Sequence, residues 1–198
     1  MYTLGELENT VSRCNRCPLA RSRTHTVFGE GNPEARIMFI GEGPGYYEDQ
    51  SGRPFVGKAG QLLDKMLASI ELSRKDVYIA NIVKCRPPEN RNPLQAEADI
   101  CIEYLRWQFR IIRPEIIVCL GAVAARNIIA QDFSITRDRG KWIEKAGVWI
   151  LPTYHPAQKS IEQMTSEITE AIKEAKKKEY IVSNDNMVTG WFRLSDDD

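Results

Sequence analysis

Four cysteines are the residues whose type and spacing predict chemistry most directly. Cys14 and Cys17 form a Cys-x-x-Cys pair, and at this spacing one chain turn brings both thiolates to the same side. Cys85, in KCRPPENR, and Cys101, in ADICIEY, can complete a four-thiolate site that ties the N-terminal segment to the core. Four thiolates hold either zinc or an iron–sulfur cluster, so spacing leaves both open, together with the alternative of unrelated core cysteines.

The expected compartment also favours metal or redox chemistry over disulfides. The N-terminal stretch MYTLGELENTVSRC has no cationic segment followed by an apolar run, and no segment approaches the roughly 20 apolar residues of a membrane helix. We therefore expect a cytoplasmic protein without membrane partners, and structural disulfides are rare in that reducing compartment. The fifth cysteine, Cys119, lies in the apolar run IIVCLG and is expected to be a small buried thiol rather than a ligand.

The segment GEGPGYYED combines glycines with carboxylates. Its glycines, Gly43 among them, allow a ligand to approach the backbone closely. Pro44 removes an amide donor, however, and neither G-x-G-x-x-G nor G-x-x-x-x-G-K-[ST] is present, so a phosphate cradle is only weakly indicated. Glu48 is compatible with a solvated loop, whereas Glu42, at the end of an apolar run, is harder to explain that way.

Three further residues are candidates for binding a ligand. Phe55 lies in the Pro- and Gly-bounded loop RPFVG, where its ring either packs under the loop or presents a stacking face. Asn81 interrupts the apolar run YIANIVKC, and a buried amide needs partners for its donor and acceptor atoms. His155, one of only two histidines, follows the last apolar run.

The apolar pattern predicts how these residues are positioned. Buried-strand runs alternate with segments of helical period, which indicates an α/β three-layer sandwich around a central, mostly parallel four-stranded sheet. Ligands bind beyond the carboxyl ends of such strands, which directs attention to GEGPG, NIVKCRPPENR and YHPAQ. The predicted strands are 35–42, 76–85, 115–121 and 147–156, and the predicted helices are 58–70, 93–112, 122–130 and 161–175.

Length and charge set the remaining bounds. We assign residues 1–182 to a single domain and the Asn- and Asp-rich residues 183–198 to a polar tail. The chain has 27 basic and 27 acidic residues; the tail carries four Asp and one Arg, which leaves 26 against 23, or +3, for the domain. Such a mild charge fits a polyanionic partner only if cations share one face. The candidates for that face are Arg86, Arg91, Arg137, Arg139, Lys141 and Lys159.

Together these segments resemble the family 4 uracil-DNA glycosylases, the iron–sulfur group of thermophilic bacteria and archaea. The resemblance lies in GEGPGYYEDQSGRPFVGKAGQLLDKML, NIVKCRPPENRNP, TYHPA and the four cysteines, in the family's order from residue 14 to about 157. It implies that Cys14, Cys17, Cys85 and Cys101 hold a [4Fe-4S] cluster. A neighbouring group carries a KRRIH insertion and bonds covalently to its product; this chain lacks the insertion, which favours the hydrolytic enzyme.

The resemblance implies a monomeric, nucleoid-associated DNA N-glycosylase of base-excision repair. Such an enzyme hydrolyses the N-glycosidic bond of a flipped-out deoxyuridine and leaves free uracil and an abasic site in DNA. Phe55 would stack on the base in the pocket that Gly43 helps to line. Asn81 would donate to O4 and accept from N3–H, and Glu48 would lie against C5 and collide with the methyl group of thymine.

The same resemblance implies catalytic roles. His155 would hydrogen-bond O2 of the departing uracil, as a donor in an oxyanion hole does. Glu42 would orient the attacking water and face the cationic sugar. Asn90 would help to position that water, although the nearby Asn92 makes its alignment ambiguous.

Two segments depart from the family pattern or extend it. After HPA the family commonly has apolar wedge residues, whereas this chain reads QKSIEQ, so Gln158 or Lys159 takes that place or another loop does. In the tail, DNMVTGWF resembles a degenerate sliding-clamp binding box without its usual first Gln. Two rival functions remain at this point: a non-enzymatic nucleic-acid-binding protein with a structural zinc site, and a nucleotide hydrolase using the GEGPG carboxylates.

Overall fold

The computed structural model describes residues 3–156 and 166–169, in which a six-stranded sheet forms the centre. The strand order is β1-β3-β2-β4-β6-β5. The four inner strands are mutually parallel, and the short β1 and β5 pair antiparallel at the edges. The strands are β1 (Glu30–Gly31), β2 (Ile37–Gly41), β3 (Tyr78–Asn81), β4 (Ile116–Leu120), β5 (Ile143–Lys145) and β6 (Val148–Thr153).

The predicted α/β class and parallel four-stranded centre are therefore confirmed, and two edge strands are added. β1 has only two residues, and β5 alternates half-buried and exposed positions. Neither presents the continuous apolar run by which the inner strands are recognised, because an edge strand need not be buried on both faces.

Helices cover both faces of the sheet. One face carries side chains of α1, α4 and α5 together with Met38 and Ile40 of β2, and the other carries α3 with Phe39. Successive strand residues point to opposite faces, so one strand serves both cores and the molecule has three layers. The helices are α1 (Leu4–Ser12), α2 (Tyr46–Ser51), α3 (Lys58–Ser69), α4 (Gln95–Ile112), α5 (Ala122–Ile128) and α6 (Ile135–Asp138), with 3₁₀ turns at Pro18–Arg21 and Pro88–Asn90.

The three predicted helices that lie wholly in the described chain are present, with shifts of one or two residues at their ends. α4 begins at Gln95 rather than at Pro93, because the carboxylate of Glu97 accepts the Leu94 amide at 2.8 Å and caps the helix there. Of the predicted helix 161–175, residues 166–169 are described, and they are helical. Among residues 3–156 and 166–169, no helix combines the length and apolar character needed to cross a bilayer.

Candidate active site at the carboxyl edge of the sheet

The carboxyl ends of β2, β3 and β6 bring three of the predicted site residues to one edge of the sheet. Glu42 follows β2, Asn81 ends β3, and His155 comes two residues after β6. Beyond the formal strand ends the pairing continues, since the amides of Ile82 and Val83 donate to the carbonyls of Gly41 and Glu42 at 3.0 and 3.2 Å. The backbone under the site is thus fixed by sheet hydrogen bonds.

Phe55 is held at this edge by contacts to its backbone. Its ring is buried, and its φ of 52° lies in the left-handed region, which is unfavourable for a residue with a side chain. The Arg74 guanidinium donates to the carbonyls of Pro54, at 2.8 Å, and of Phe55, and it also pairs with Glu30 at 2.6 Å. A Cβ on Gly60 would lie 1.6 Å from the Phe55 carbonyl oxygen, so this packing requires glycine there.

Phe55 and Asn81 share the space above Gly41. A Cβ on Gly41 would lie 2.5 Å from both Asn81 Oδ1 and the Phe55 ring, so the missing side chain allows the two groups to meet. Asn81 is only 2% exposed, and its Oδ1 has no hydrogen-bond partner within the described residues. A buried acceptor without a partner costs about 1–3 kcal/mol, so this atom is suited to accept a hydrogen from a ligand.

His155 completes the pocket beside the Phe55 ring. The two ring centroids are 6.0 Å apart and their planes are tilted by 30°. Burial lowers the pKa of His155, and the Glu48 carboxylate partly opposes this change. The imidazole is therefore neutral at pH 7 and can donate one hydrogen to an anion without carrying a charge of its own. Gly121, at φ 97°, makes room for it, since a Cβ there would lie 3.2 Å from His155 Cβ.

Glu42 and Gly43 form the start of the loop after β2. Burial raises the pKa of Glu42, which makes its carboxylate a better proton acceptor for a bound water than an exposed one. A Cβ on Gly43 would lie 2.7 Å from Val83 Cγ2, so the loop backbone packs closely on the segment after β3.

Glu48 acts in the structure as a clamp between two loops. Its carboxylate accepts the amides of Gly45 at 3.1 Å and of Val56 and Gly57 at 2.9 Å each. These bonds tie the start of α2 to the Phe55 loop, a role that the sequence analysis did not anticipate. The signal was present, because Glu at the third position of a helix often accepts the amide that precedes it. Exclusion of a C5 methyl group by Glu48 stays a prediction.

Asn90 lies on the exposed turn Pro88–Asn90 at the rim of this region. Asn90 and Glu89 have φ values of 55° and 56°, two successive left-handed residues that are costly unless the surroundings enforce them. The Asn90 Oδ1 accepts from Arg86 Nε at 2.7 Å. Its predicted role with the attacking water stays a prediction.

The four candidate cysteine ligands line one cavity. Cys14 follows α1, Cys17 precedes the turn Pro18–Arg21, Cys85 lies four residues beyond β3, and Cys101 lies in α4. Cys85 therefore lies in a loop and does not close a strand as the sequence suggested. Cys119 is a fully buried thiol in β4, as predicted, and all five cysteines are free of disulfides.

The surroundings of this cavity fit thiolate ligands. The Arg23 guanidinium donates to Cys85 Sγ at 3.3 Å, and the Lys84 backbone amide donates to Cys101 Sγ at 3.2 Å. Burial raises the pKa of Cys101 to about 12, and the Lys84 ammonium and backbone amide oppose it. In the described chain no three His, Cys, Asp or Glu side chains are set to share one metal ion. Four thiolates around one cavity can hold either a tetrahedral zinc ion or an iron–sulfur cluster.

A buried lysine connects the cysteine cavity to the pocket. The Lys84 side chain is 1% exposed, and its Nζ donates to the Asn81 carbonyl at 3.0 Å and to Gln108 Oε1 at 2.7 Å. Gln108 Nε2 in turn donates to the Phe28 carbonyl at 2.9 Å and lies 3.2 Å from the Tyr78 hydroxyl. Sequence reasoning missed this network, because a lysine beside a predicted ligand gives no sign that its ammonium is buried.

Most of the predicted basic face is neutralised by carboxylates. Arg86 differs, since it forms no ion pair with a carboxylate within residues 3–156 and 166–169 and its guanidinium lies 5.2 Å from the centroid of the Tyr46 ring. The paired cations are Arg91 with Glu97, Arg137 and Lys141 with Asp138, and Arg139 with Glu167. The wedge and clamp predictions concern residues 158, 159 and 183–198, which lie outside the described residues.

Comparison with known proteins places the chain in a family. A sequence model of the Uracil DNA glycosylase superfamily matches residues 28–178. The chain is 48% identical to the type-4 uracil-DNA glycosylase of Thermotoga maritima over 79% of this chain and 85% of that protein. It is 46% identical to the type-4 enzymes of Archaeoglobus fulgidus and Sulfurisphaera tokodaii, over 79% of this chain and 83% and 76% of theirs. By these matches the chain belongs to the type-4 family of the uracil-DNA glycosylase superfamily.

Proposed function

We propose that this chain is a uracil-DNA glycosylase that starts base-excision repair by releasing uracil from DNA. The reaction hydrolyses the N-glycosidic bond of a flipped-out deoxyuridine and yields free uracil and an abasic site. The observation that carries the proposal is the buried, unpartnered Oδ1 of Asn81 beside the Phe55 ring. Uracil supplies both partners, an N3–H for the acceptor and a flat ring for the aromatic face.

Recognition follows from the donors and acceptors of the base. Asn81 accepts N3–H and donates to O4; cytosine has no proton on N3 and an amino group at C4, so it matches neither atom. Phe55 stacks on the extruded base and offsets part of the few kcal/mol that extrusion costs. Gly43 brings its backbone close to the same base. Glu48 lies against C5 and excludes thymine by colliding with its methyl group. The three backbone hydrogen bonds of the carboxylate support this role, because they prevent the side chain from moving aside.

Bond cleavage moves an electron pair from the glycosidic bond onto uracil and leaves positive charge on the sugar. His155 donates to O2 and stabilises the uracil anion, and its lowered pKa supports a neutral donor. Glu42 orients the water that adds to the sugar carbon and takes up its proton, while Asn90 helps to hold that water. Uracil N1 is protonated after departure. None of these steps needs a metal ion at the pocket.

The cysteines hold a [4Fe-4S] cluster in this proposal. Cys14, Cys17, Cys85 and Cys101 are its ligands, and the cluster supplies a structural cross-link rather than a chemical step. Donation from Arg23 and from the Lys84 amide to two of the sulfurs supports thiolate character. The site joins the segment after α1 to α4 and to the loop that leads from β3 to Arg86.

One experiment tests the proposed reaction. Purified protein is incubated with a uracil-containing oligonucleotide in the presence of a chelator, and alkali-labile abasic sites are counted. We expect strand breaks at the uracil position only. Absence of breaks at uracil would exclude the reaction, and a requirement for magnesium would favour the nucleotide hydrolase. Absorption near 400 nm would support the cluster, whereas a colourless protein with one zinc would support the zinc site.

The remaining assignments concern partners and organisation. Family membership does not support the non-enzymatic zinc-binding alternative. We propose uracil-containing DNA as partner, a monomer as the working unit, residues 1–182 as one domain, and an intracellular location on the nucleoid, where the substrate is. Clamp binding through residues 183–198 is tested by deleting them and measuring the affinity for a sliding clamp. Unchanged affinity would show that these residues do not bind the clamp.

A further inference from the structure

Two exposed tyrosines and one arginine stand at the rim of the pocket, and we propose that they receive the DNA strand beside the extruded uridine. We call Tyr46, Tyr47 and Arg86 the tyrosine platform. The tyrosine rings stack on an unpaired base that flanks the uridine, and the guanidinium contacts a backbone phosphate. This inference rests on the proposed function, because it concerns how the same site holds its substrate.

Exposure is the first observation. Tyr46 is 51% exposed and Tyr47 is 65% exposed, and among the large hydrophobic side chains of the described residues only Leu94 is comparably exposed, at 57%. Neighbouring exposed aromatics form a surface that water solvates poorly and that a flat apolar partner covers well. Because the rings lie next to a pocket built for a base, the flat partner at hand is the adjoining base.

Order within the platform is the second observation. The Tyr46 and Tyr47 rings meet edge to face, with centroids 5.5 Å apart and planes at 81°. Arg86 lies over the Tyr46 ring at 5.2 Å and donates through Nε to Asn90. Each side chain therefore restricts its neighbour, and stacking on a fixed ring costs less conformational entropy than stacking on a mobile one.

The platform is also connected to the pocket. Tyr46 and Tyr47 are the first residues of α2, and Glu48, the next residue, binds the amides of Val56 and Gly57 directly after Phe55. A Cβ on Gly57 would lie 3.6 Å from the Tyr47 ring, so the platform abuts the Phe55 loop. In the proposed complex, a strand whose uracil stacks on Phe55 passes the platform.

The chemistry of the platform matches a single strand. Proteins that hold single-stranded DNA combine aromatic rings, on which bases stack, with cations that follow the phosphates. Arg86 is suited to the second task, since it makes no ion pair with a carboxylate in the described part of the chain, unlike Arg91, Arg137 and Lys141. A flanking base within a duplex is held in place by its pairing partner, so the platform favours substrates whose flanking base is unpaired and can move onto the rings.

The test compares three variants of one residue. Affinity is measured by fluorescence anisotropy on a single-stranded oligonucleotide that carries an uncleavable 2′-fluorinated deoxyuridine. Tyr47→Ala is expected to weaken binding at least about fivefold, the lower bound for losing one stacked base. Tyr47→Phe keeps the ring and is expected to bind within about twofold of the parent, whereas Tyr47→Leu keeps apolar area without the ring and is expected to behave like Tyr47→Ala.

A second measurement locates the contact. Oligonucleotides that lack the base on the 5′ or the 3′ side of the uridine are compared in the same assay. When the missing base is the one that stacks on Tyr47, Tyr47→Ala should cause no further loss of affinity, because the stacking contact is already absent. Inhibition by free uracil should be the same in all variants, since the platform lies outside the pocket.

The outcomes separate this inference from the proposed function. If Tyr47→Ala binds like the parent, or if Tyr47→Leu restores binding, the platform does not stack on DNA, even where uracil release is normal. If the parent protein releases no uracil, the proposed reaction fails, and the anisotropy series still decides whether the platform binds a strand.

Discussion

Two buried polar groups at the end of β3 are satisfied to different degrees. The Lys84 ammonium donates to the Asn81 carbonyl and to Gln108, and Gln108 is itself bonded to the Phe28 carbonyl. The Asn81 side-chain oxygen, in the same segment, accepts nothing within the described residues. Both groups are almost fully buried, so burial alone does not explain the difference.

This difference distinguishes buried groups that stabilise the fold from buried groups that can bind a ligand. A buried group whose partners are all protein atoms stabilises the fold, and a buried group left open carries a cost that a ligand can remove. Half-buried Glu42 resembles Asn81, because burial raises its pKa and no hydrogen bond or ion pair is among the causes of that change. Replacement of a group without a protein partner should therefore lower activity and leave stability nearly unchanged. Replacement of a group with protein partners should lower stability and leave activity nearly unchanged.

The largest effect is expected at Glu42. Glu42→Gln should lower kcat about 10²- to 10⁴-fold, the usual contribution of acid–base catalysis, while the melting temperature changes little. Because burial raises the Glu42 pKa above 4.5, activity of the parent should fall on acidification at a higher pH than for an ordinary glutamate. Single-turnover rates against pH check this: the variant should lack that acid limb. The exposed Glu34→Gln is the control and should keep the parent profile.

A slightly smaller loss is expected at His155. His155→Ala removes the proposed donor to the uracil anion and should lower kcat about 10²- to 10³-fold with little change in substrate affinity. The other histidine offers a matched control, since His25 is exposed and its ring nitrogen Nδ1 lies 2.9 Å from the Asp49 carbonyl oxygen. A comparable loss in His25→Ala would show that the effect is not specific to the pocket.

Asn81→Ala should separate binding from stability. Loss of the two proposed base contacts should weaken binding of the uncleavable substrate by about 1–3 kcal/mol. Thermal unfolding should shift little, because an unsatisfied acceptor is removed together with its cost. Anisotropy titration and calorimetry measure the two quantities on one preparation. A large drop in melting temperature at unchanged affinity would contradict the distinction drawn between Asn81 and Lys84.

The smallest effect on activity is expected at Gln108. Gln108→Leu leaves the buried Lys84 ammonium with one acceptor fewer, so the free energy of unfolding should fall by about 1–3 kcal/mol while kcat of the folded enzyme stays near that of the parent. Adding Lys84→Met should recover part of the stability, since the stranded charge is then removed. Denaturant titrations of both variants test this, and no recovery in the double variant would argue against a stranded charge.

The position of much of the candidate site could be predicted because its residues lie at strand ends. Runs of apolar residues identify parallel strands, and the carboxyl ends of such strands meet at one edge of the sheet, so the sequence predicts that Glu42, Asn81 and His155 lie at that edge. The edge strands β1 and β5 could not be predicted in the same way, since neither is a continuous apolar run.

The missed features depend on tertiary contacts. The three amides bound by Glu48 come from two loops, and only one of them, Gly45, is near in sequence. Burial of Lys84 depends on Gln108, 24 residues away. Pairing of Arg137 and Arg91 with carboxylates is likewise a matter of side-chain placement, and charge counting does not reveal it.

The anchoring of Phe55 by Arg74 and Gly60 bears on the timing of catalysis. If Phe55 stacks on the base as proposed, its backbone is already held by a guanidinium and by helix α3 before any nucleic acid arrives. The conformational change on binding then occurs mainly in the nucleotide, which must unstack from its neighbours and rotate into a pocket that is already formed. Lesions that weaken base stacking should consequently be processed faster than stable ones, with the protein itself unchanged.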